Sequence, residues 1–504
     1  MSRINTNVQS MIAQRVLGMN NQALSKSLER LSTGLRINRG KDDPAGLIAS
    51  EALRSEMKAI NAAISNSERA DQVVNIAEGG LGEISNLLTE LQGLVTTSAN
   101  TAGLSKEEKE ANQLQVDSIL QTIDRIASAT SFQGQKLLNG NFDYQVSGVA
   151  AGVTDFRING AKFETGSLSV NVLVTQSAQQ AGQFLSFAGT TIDLDPTSAF
   201  TIEIAGSLGS RELQFSSSTS LTDIAAAIHT FKEVTGVEAN ASGTGVSLTS
   251  SEFGKEEFVS IKIVNDGGIV GSNIGIYDFV ADDFNTVLTT GSTAFSAASN
   301  GVTDFGLNLG ATINGITATS DGKTARINTD FLDVELTLST TASQKLGAVA
   351  AGGAFTITGG GADFQLASKV DIAGKVSIGI ADVATRKLGT TALGYLKDLA
   401  SGKQFNVVEA ADLTGAQKVI AEAISQVSSL RGRLGAFQAN TIGATIRNLG
   451  VALENTAAAE STIRDADFAA ETAGLTRNQI LVSASTSILS LANQNPQSVL
   501  QLLG

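Results

Sequence analysis

From Leu47 to Glu78 the sequence runs LIASEALRSEMKAINAAISNSERADQVVNIAE, without glycine or proline, the two residues that most disfavour a helix interior. Ala49, Leu53, Met57, Ile60, Ile64, Ala70, Val74 and Ala77 recur at three- and four-residue steps, with Ser, Asn, Glu, Arg and Asp between them. That spacing lays one apolar stripe along a helix, and sustained over many turns it is the stripe of a coiled coil. Carried on to about Asn100, the helix is ~80 Å long at about 1.5 Å per residue, far longer than a globular helix. The cluster Gly79-Gly80-Leu81-Gly82 is where it could break.

Leu104 to Gln133 is also free of glycine and proline, and so are Ala416 to Arg431, Val451 to Ala473 and Leu475 to Asn495 near the other end. Each is expected to be a helix, with a stripe at Val419, Ala423, Ile424, Val427 and Leu430 in the first C-terminal one. The middle obeys other rules. Residues 141 to 404 hold 33 of the 51 glycines and alternate with period two at Ser167–Val174, Phe200–Ile204, Phe258–Val264, Val334–Leu338 and Val376–Ile380, the mark of half-buried strands. A short helix is expected at Leu221–Ile228. The fold class that follows is α+β multidomain: a terminal α-helical coiled-coil rod formed by both chain ends, with one or two mostly β outer domains inserted in the middle.

Composition narrows the chemistry. The chain has 504 residues, one histidine and no cysteine or tryptophan. With His229 as the sole imidazole, neither a two-His zinc site nor an HExxH peptidase fits within one chain. Without cysteine there is no thiolate catalysis, iron–sulfur cluster or disulfide. A net charge of −14 argues against non-specific nucleic-acid binding, which needs a basic surface. No stretch approaches the roughly 20 apolar residues of a membrane helix, and the first thirty residues lack the apolar run of a Sec signal. The reading carries no catalytic residue, no cofactor and no metal.

The two outermost segments carry apolar stripes nearly free of large aromatics: Ile4, Val8, Met11, Ile12, Val16, Ala23, Leu24, Leu28, Leu31 and Leu35 at one end, Ile480, Leu481, Ala484, Ile488, Leu491 and Ala492 at the other. Alone they would expose apolar surface, which a soluble monomer avoids. They pack on each other within one chain or await identical neighbours.

Polar words within these ends carry a resemblance. LERLSTGLRIN at 28–38, DDPAGLIASE at 42–51 and AEGGLGEI at 77–84 resemble the N-terminal region of bacterial flagellin, while ENTAAAESTIRDADF at 454–468, NQIL at 478–481 and ANQNPQSVL at 492–500 resemble its C-terminal region. The likeness covers about 1 to 140 and 405 to 504. Residues 200–264 are similar to the module called the flagellin hook IN motif. The resemblance implies a structural subunit of the flagellar filament. Residues 1–43 with 461–504 would form an inner helical layer, ordered on polymerisation; 44–172 with 405–460 a coiled-coil layer; and 173–404 a solvent-facing β region. It also implies a secreted chain with itself, the hook-associated junction and cap proteins, and the export chaperone and flagellar type III apparatus as partners. The competing readings are the hook–filament junction protein and a flagellin with an added enzymatic or adhesive outer domain.

Several residues admit a bland and a sharp reading. Asp42, Asp43 and Glu51 suggest a carboxylate site, but Asp43 before Pro44 is the better helix cap. His229 reads as a helix end and Gly359-Gly360-Gly361 as a β-turn, since no GxxxxGK[ST] follows. Arg30, Arg36 and Arg39 suit a solvated face or a contact between subunits. In flagellins that activate the innate immune receptor, the segment matching Thr89–Val95 carries a key arginine and an acidic residue. This chain has Glu90 and Gly93 there and Ile119 near a second expected arginine, which implies weak or absent activation.

Overall fold

The computed structural model describes residues 6–100, 102–163, 166–195, 198–280, 283–287, 292–409 and 413–503. Its helices are α1 Val8–Thr33, α2 Pro44–Ser98, α3 Lys106–Ala129, α4 Leu221–Thr230, α5 Lys232–Thr235, α6 Thr340–Gln344, α7 Thr414–Ala436, α8 Gly443–Arg464 and α9 Phe468–Leu503. The chain divides into two compact units: Met1–Gln72 with Gln365–Gly374 and Ala436–Gly504, and Val73–Phe364 with Lys375–Gly435.

α2 runs its 55 residues through Gly79, Gly80 and Gly82 without a break. Asp43 caps it: the amide of Gly46 donates to its Oδ1 at 2.9 Å, and Pro44 sits at the first turn, where a missing N–H costs nothing. The seam is more regular than the hydrophobic residues suggest. Ser50, Leu53, Met57, Ile60, Ala63, Ser67, Ala70, Val74, Ala77, Leu81, Ile84, Leu88, Leu91, Val95 and Ser98 follow one another at steps of three or four, and all are buried or half-buried. Ser50, rather than the expected and exposed Ala49, starts the seam. The serines fit because their hydroxyls bond the helix's own carbonyls, Ser50 to Leu47 at 3.0 Å and Ser67 to Ala63 at 2.8 Å, which leaves a small side chain with its polarity satisfied.

In the second unit the later half of α2 faces α3 and α7. α3 buries Gln113, Val116, Leu120, Ile123 and Ala127, and α7 buries Ala416, Ile420, Ala423, Val427, Leu430 and Leu434. Asn112 donates to Ser98 at 3.1 Å, and Arg431 donates to Glu78 at 2.7 Å. Gly80 lets a loop close in, because a Cβ there would stand 2.8 Å from Thr130 Oγ1 and 2.9 Å from Leu138 Cδ1.

Two C-terminal expectations need correction. Helix continues from α7 through Phe437–Ile442, which is π-helical, into α8. The step from buried Phe437 to buried Ile442 is five residues, and a π-turn is what keeps such a pair on one face. The next break falls at 465–467, inside the expected Val451–Ala473 helix, while Gly474 is helical. Asp467 starts α9 by accepting from Ala469 N and Ala470 N at 2.9 and 3.2 Å, and the amide of Ala466 turns away to Gly34 O at 2.9 Å.

The middle holds two β cores, one nested in the other. The first gathers residues from Tyr144 to Ala178 and from Leu309 to Ile357, so the division expected at 172/173 passes through it. The second lies between those segments, from Ala181 to Ala298, where a five-stranded and a four-stranded antiparallel sheet enclose Phe200, Phe295 and the buried face of α4. The two chain passages meet at a bridge between Gln179 and Leu307. Every expected strand is present, with Ser167–Val174 divided into Leu168–Val170 and Val172–Gln176. Gly359-Gly360-Gly361 lies at a bend between strands: Phe355–Gly360 and Ala362–Gln365 join different sheets, and Gly360 and Gly361 take positive φ between them.

Candidate assembly surface

α1 starts at Asn7, whose Oδ1 accepts from Ser10 N at 3.0 Å, and ends at Gly34, which takes φ +73°. α9 lies antiparallel to it, tied at the helix break by Arg36 N to Arg464 O at 2.7 Å and by a bridge between Leu35 and Asp465. A polar ladder continues along the pair. Arg30 Nη1 reaches Glu471 Oε1 at 2.8 Å, Asn478 Nδ2 donates to Ser27 Oγ at 3.1 Å, Asn20 Nδ2 to Ser485 Oγ at 2.7 Å, and Asn7 Nδ2 to Ala492 O at 2.7 Å. The buried residues between the helices are small: Ser10, Ala13, Ser27, Ser485 and Ala492.

The large aliphatic side chains are therefore not what holds the pair together. Val8, Met11, Ile12, Val16, Met19, Ile480, Leu481, Ile488 and Leu491 are 40 to 63% exposed, and Leu28 and Ala484 are exposed too. Leu24, Leu31 and Leu35 are half-buried, and Ile4 lies outside the described residues. At about 100° per residue, Met11, Ile12, Val16 and Met19 group on one side of α1, about a third of a turn from the line through Ala13, Leu24 and Leu31. Ile480, Ala484, Ile488 and Leu491 do the same on α9. Ile12, Val16, Ile488 and Leu491 line an apolar groove of about 320 Å³ with Ala13 and Ala492 at its floor. Met19, Ser10, Ala13, Ser27 and Ser485 were not singled out from the sequence, whereas Ala492 was; a search for small residues at helical spacing opposite one another would have found the small ones.

The basic run bonds within its own chain, while Arg36 and Arg39 remain exposed, as expected of a solvated face. Arg30 pairs with Glu471, Arg36 donates to Ile463 O at 2.5 Å and Arg39 pairs with Glu29 at 2.9 Å, so all three serve contacts inside the chain, two of them clamping one end to the other. Asp42, Asp43 and Glu51 do not gather either. Lys26 bonds Asp42 at 2.9 Å and holds its carboxyl below the usual range, Asp43 caps α2, and Glu51 pairs with Arg54 and Arg464. Among the described residues no group of three His, Asp or Glu is placed to hold a metal ion. His229 is exposed in the last turn of α4.

A polar cavity of about 400 Å³ lies where α7 meets the strand Val153–Ala161. Burial raises the carboxyls of Asp143 and Asp155 and pushes the Tyr144 hydroxyl up to about 12. Arg433 is pulled down by its own desolvation and donates to Gly379 O at 2.9 Å. Arg157 spans the junction to Glu422 at 2.6 Å. Arg157 and Arg433 tie the β segments to α7, and Arg433 Nε stays buried without a hydrogen-bond partner among the described residues.

On the innate-receptor segment, Glu90 and Gly93 are exposed on α2, but Ile119 is 7% exposed on α3. Ile119 is thus not a surface position; Ser118 is the exposed residue beside it.

Among the described residues no helix is long and apolar enough to cross a membrane. Residues 4–143 match the bacterial flagellin N-terminal helical region and residues 417–503 the bacterial flagellin C-terminal helical region. Over 99% of both chains, the sequence is 29% identical to a flagellin of Salmonella typhimurium, to flagellin C of Vibrio anguillarum and to the B-type flagellin of Pseudomonas aeruginosa.

Proposed function

The chain belongs to the bacterial flagellin family, and from that premise we propose that it builds the flagellar filament by burying the outer faces of α1 and α9 against identical neighbours. The observation that carries this mechanism is the division of labour within the helix pair. Small and polar residues satisfy the contact inside one chain, while nine large aliphatic side chains stay 40 to 63% exposed. A single soluble chain has no use for so much apolar surface. If one subunit's face meets a different face on the next, the contact does not close on itself and generates a helical polymer. Assembly and ordering of the ends are then coupled, since the helices gain most of their apolar burial only among neighbours.

In this reading residues 1–43 with 461–504 form the inner layer and 44–140 with 405–460 the coiled-coil layer; the solvent-facing part starts before the expected 173, because the first β core gathers residues from Tyr144 onward. The subunit carries no catalytic group and acts outside the cell. It passes the type III apparatus with an export chaperone and meets the junction and cap proteins at the filament's ends. Likeness over 99% of both chains to three flagellins favours the filament over the hook–filament junction. Copy number in sheared surface material separates the two, because a filament protein dominates it.

Removing residues 461–504 tests the mechanism: filaments should be lost while the two β cores keep their cooperative melting. Efficient filament formation by the truncated chain would refute it. Glu90 and Gly93 remain the basis for weak innate-receptor activation, and a full response of a receptor reporter to purified monomer would overturn that assignment.

A further inference from the structure

Four Asn-Gly pairs occur in the chain, at Asn139-Gly140, Asn159-Gly160, Asn300-Gly301 and Asn314-Gly315. The pair is chemically labile because glycine lacks a Cβ to obstruct ring closure between its own amide nitrogen and the preceding side-chain carbonyl. Structure decides which pairs can reach that geometry, since ring closure needs the reacting atoms brought within near-attack distance.

Three of the four side chains are restrained by hydrogen bonds that ring closure would have to break or distort. Asn314 is fixed at both ends: its Oδ1 accepts from Asn171 N at 2.8 Å, and its Nδ2 donates to Ser169 O at 3.1 Å. Asn159 lies within the strand Val153–Ala161, where its Nδ2 donates to Asp333 Oδ1 at 3.1 Å and Gly160 pairs with Asp333. Asn139 is half-buried, and its Oδ1 accepts from Asn141 N at 3.2 Å.

Asn300 differs in every respect. It is the last residue of the 3₁₀ helix Phe295–Asn300, it is exposed, and its side chain makes no hydrogen bond among the described residues. Gly301 takes φ +83° and ψ 137°, and its amide is held only by a 3.3 Å bond to Ala298 O. A Cβ at Gly301 would meet nothing closer than 3.4 Å, so the glycine is there for its backbone conformation and not for want of space.

We propose that Asn300 is a site of spontaneous deamidation in the folded protein, at the exit of the 3₁₀ helix into the strand Val302–Phe305. The Gly301 amide nitrogen, having lost its proton to solvent base, attacks Asn300 Cγ. The Cγ–Nδ2 bond breaks and ammonia leaves, giving a succinimide. Water then adds to one of the two ring carbonyls and opens the ring to aspartate or isoaspartate. Water is the only co-reactant, no electron is transferred, and the product carries one more negative charge than the starting chain.

The test is peptide mapping by mass spectrometry after incubating the full chain, folded, in mildly alkaline buffer made with ¹⁸O water. Freeing the two hydrogen bonds of Asn314 costs enough to slow it by about tenfold or more relative to a free side chain. Asn300 should therefore convert at least about tenfold faster than Asn314 and ahead of Asn159 and Asn139. It should gain one solvent oxygen and part of the product should be isoaspartate. In urea, where the fold no longer restrains them, the four sites should converge. Asn300→Gln should remove the new acidic species seen on isoelectric focusing of the folded chain. Equal rates at Asn300 and Asn314 in the folded protein, or an acidic species that persists in N300Q, would overturn the proposal.

Discussion

Replacing Ile12 and Ile488 together by serine separates the two contacts that α1 and α9 make. Ile12 is 48% and Ile488 59% exposed, on opposite walls of the same groove. Full burial of such a side chain contributes about 1.5–3 kcal/mol, so the exposed fractions leave about 0.7–1.4 and 0.9–1.8 kcal/mol still to be gained on assembly. Together they amount to about 2 kcal/mol per added subunit, a rise in critical concentration of roughly thirtyfold. Serine and isoleucine have similar helix propensities, so the comparison isolates burial. The critical concentration is read as the protein left soluble after seeded polymer is sedimented, and monomer stability by thermal melting. The expected result is a large rise in the first with little change in the second. An unchanged critical concentration, or a loss confined to the monomer's melting, would show that these faces are not buried between subunits.

Glycines in α2 give a second, opposed pair of outcomes. A Cβ at Gly79 or Gly93 would meet nothing within 4 Å, so alanine there should stabilise the monomer by about 1 kcal/mol in thermal or urea melting. Gly80→Ala should instead destabilise it by about 1–3 kcal/mol through the crowding at Thr130 and Leu138. Gln113 is buried, and its carboxamide donates to Leu399 O at 3.0 Å and accepts from Val407 N at 2.8 Å. Gln113→Leu should cost about 2 kcal/mol or more in urea unfolding, because both backbone groups lose their partner. The carboxyl of Asp143 is raised by burial, so the folded state binds its proton more tightly than the unfolded one. Its ionisation therefore costs stability at neutral pH, and the cost disappears as pH falls through the raised value toward the ordinary carboxylate range. Asp143→Asn keeps an oxygen for the bond from Tyr144 N at 2.8 Å, and should raise the melting temperature at neutral pH more than in acid. An equal rise at both would count against burial as the cause.

How far the sequence could be read depended on what each contact is made of. The long helix, the β middle and the Asp43 cap rest on local rules of spacing, alternation and capping, and these were visible. What stayed hidden was written in small polar residues. Ser50 and Ser67 belong to the α2 seam only because their hydroxyls are spent on their own helix, which a hydrophobicity pattern cannot see. The break at 465–467 depends on Gly34 and Leu35, more than 400 residues away in sequence, meeting Ala466 and Asp465. Local propensity places the division at Gly474 instead. The terminal stripes combine both lessons. Their leucines and isoleucines were legible as apolar helix faces, yet the contact within the chain is made by Ser10, Ala13, Ser27 and Ser485, beside the stripe, and by Ala492, one of its smallest members. Small residues bring the two helices together without using the large ones. Had these large side chains closed the pair inside one chain, the helices would have had little apolar surface left to offer a neighbour. A polar ladder within the subunit is what leaves an apolar face for the polymer.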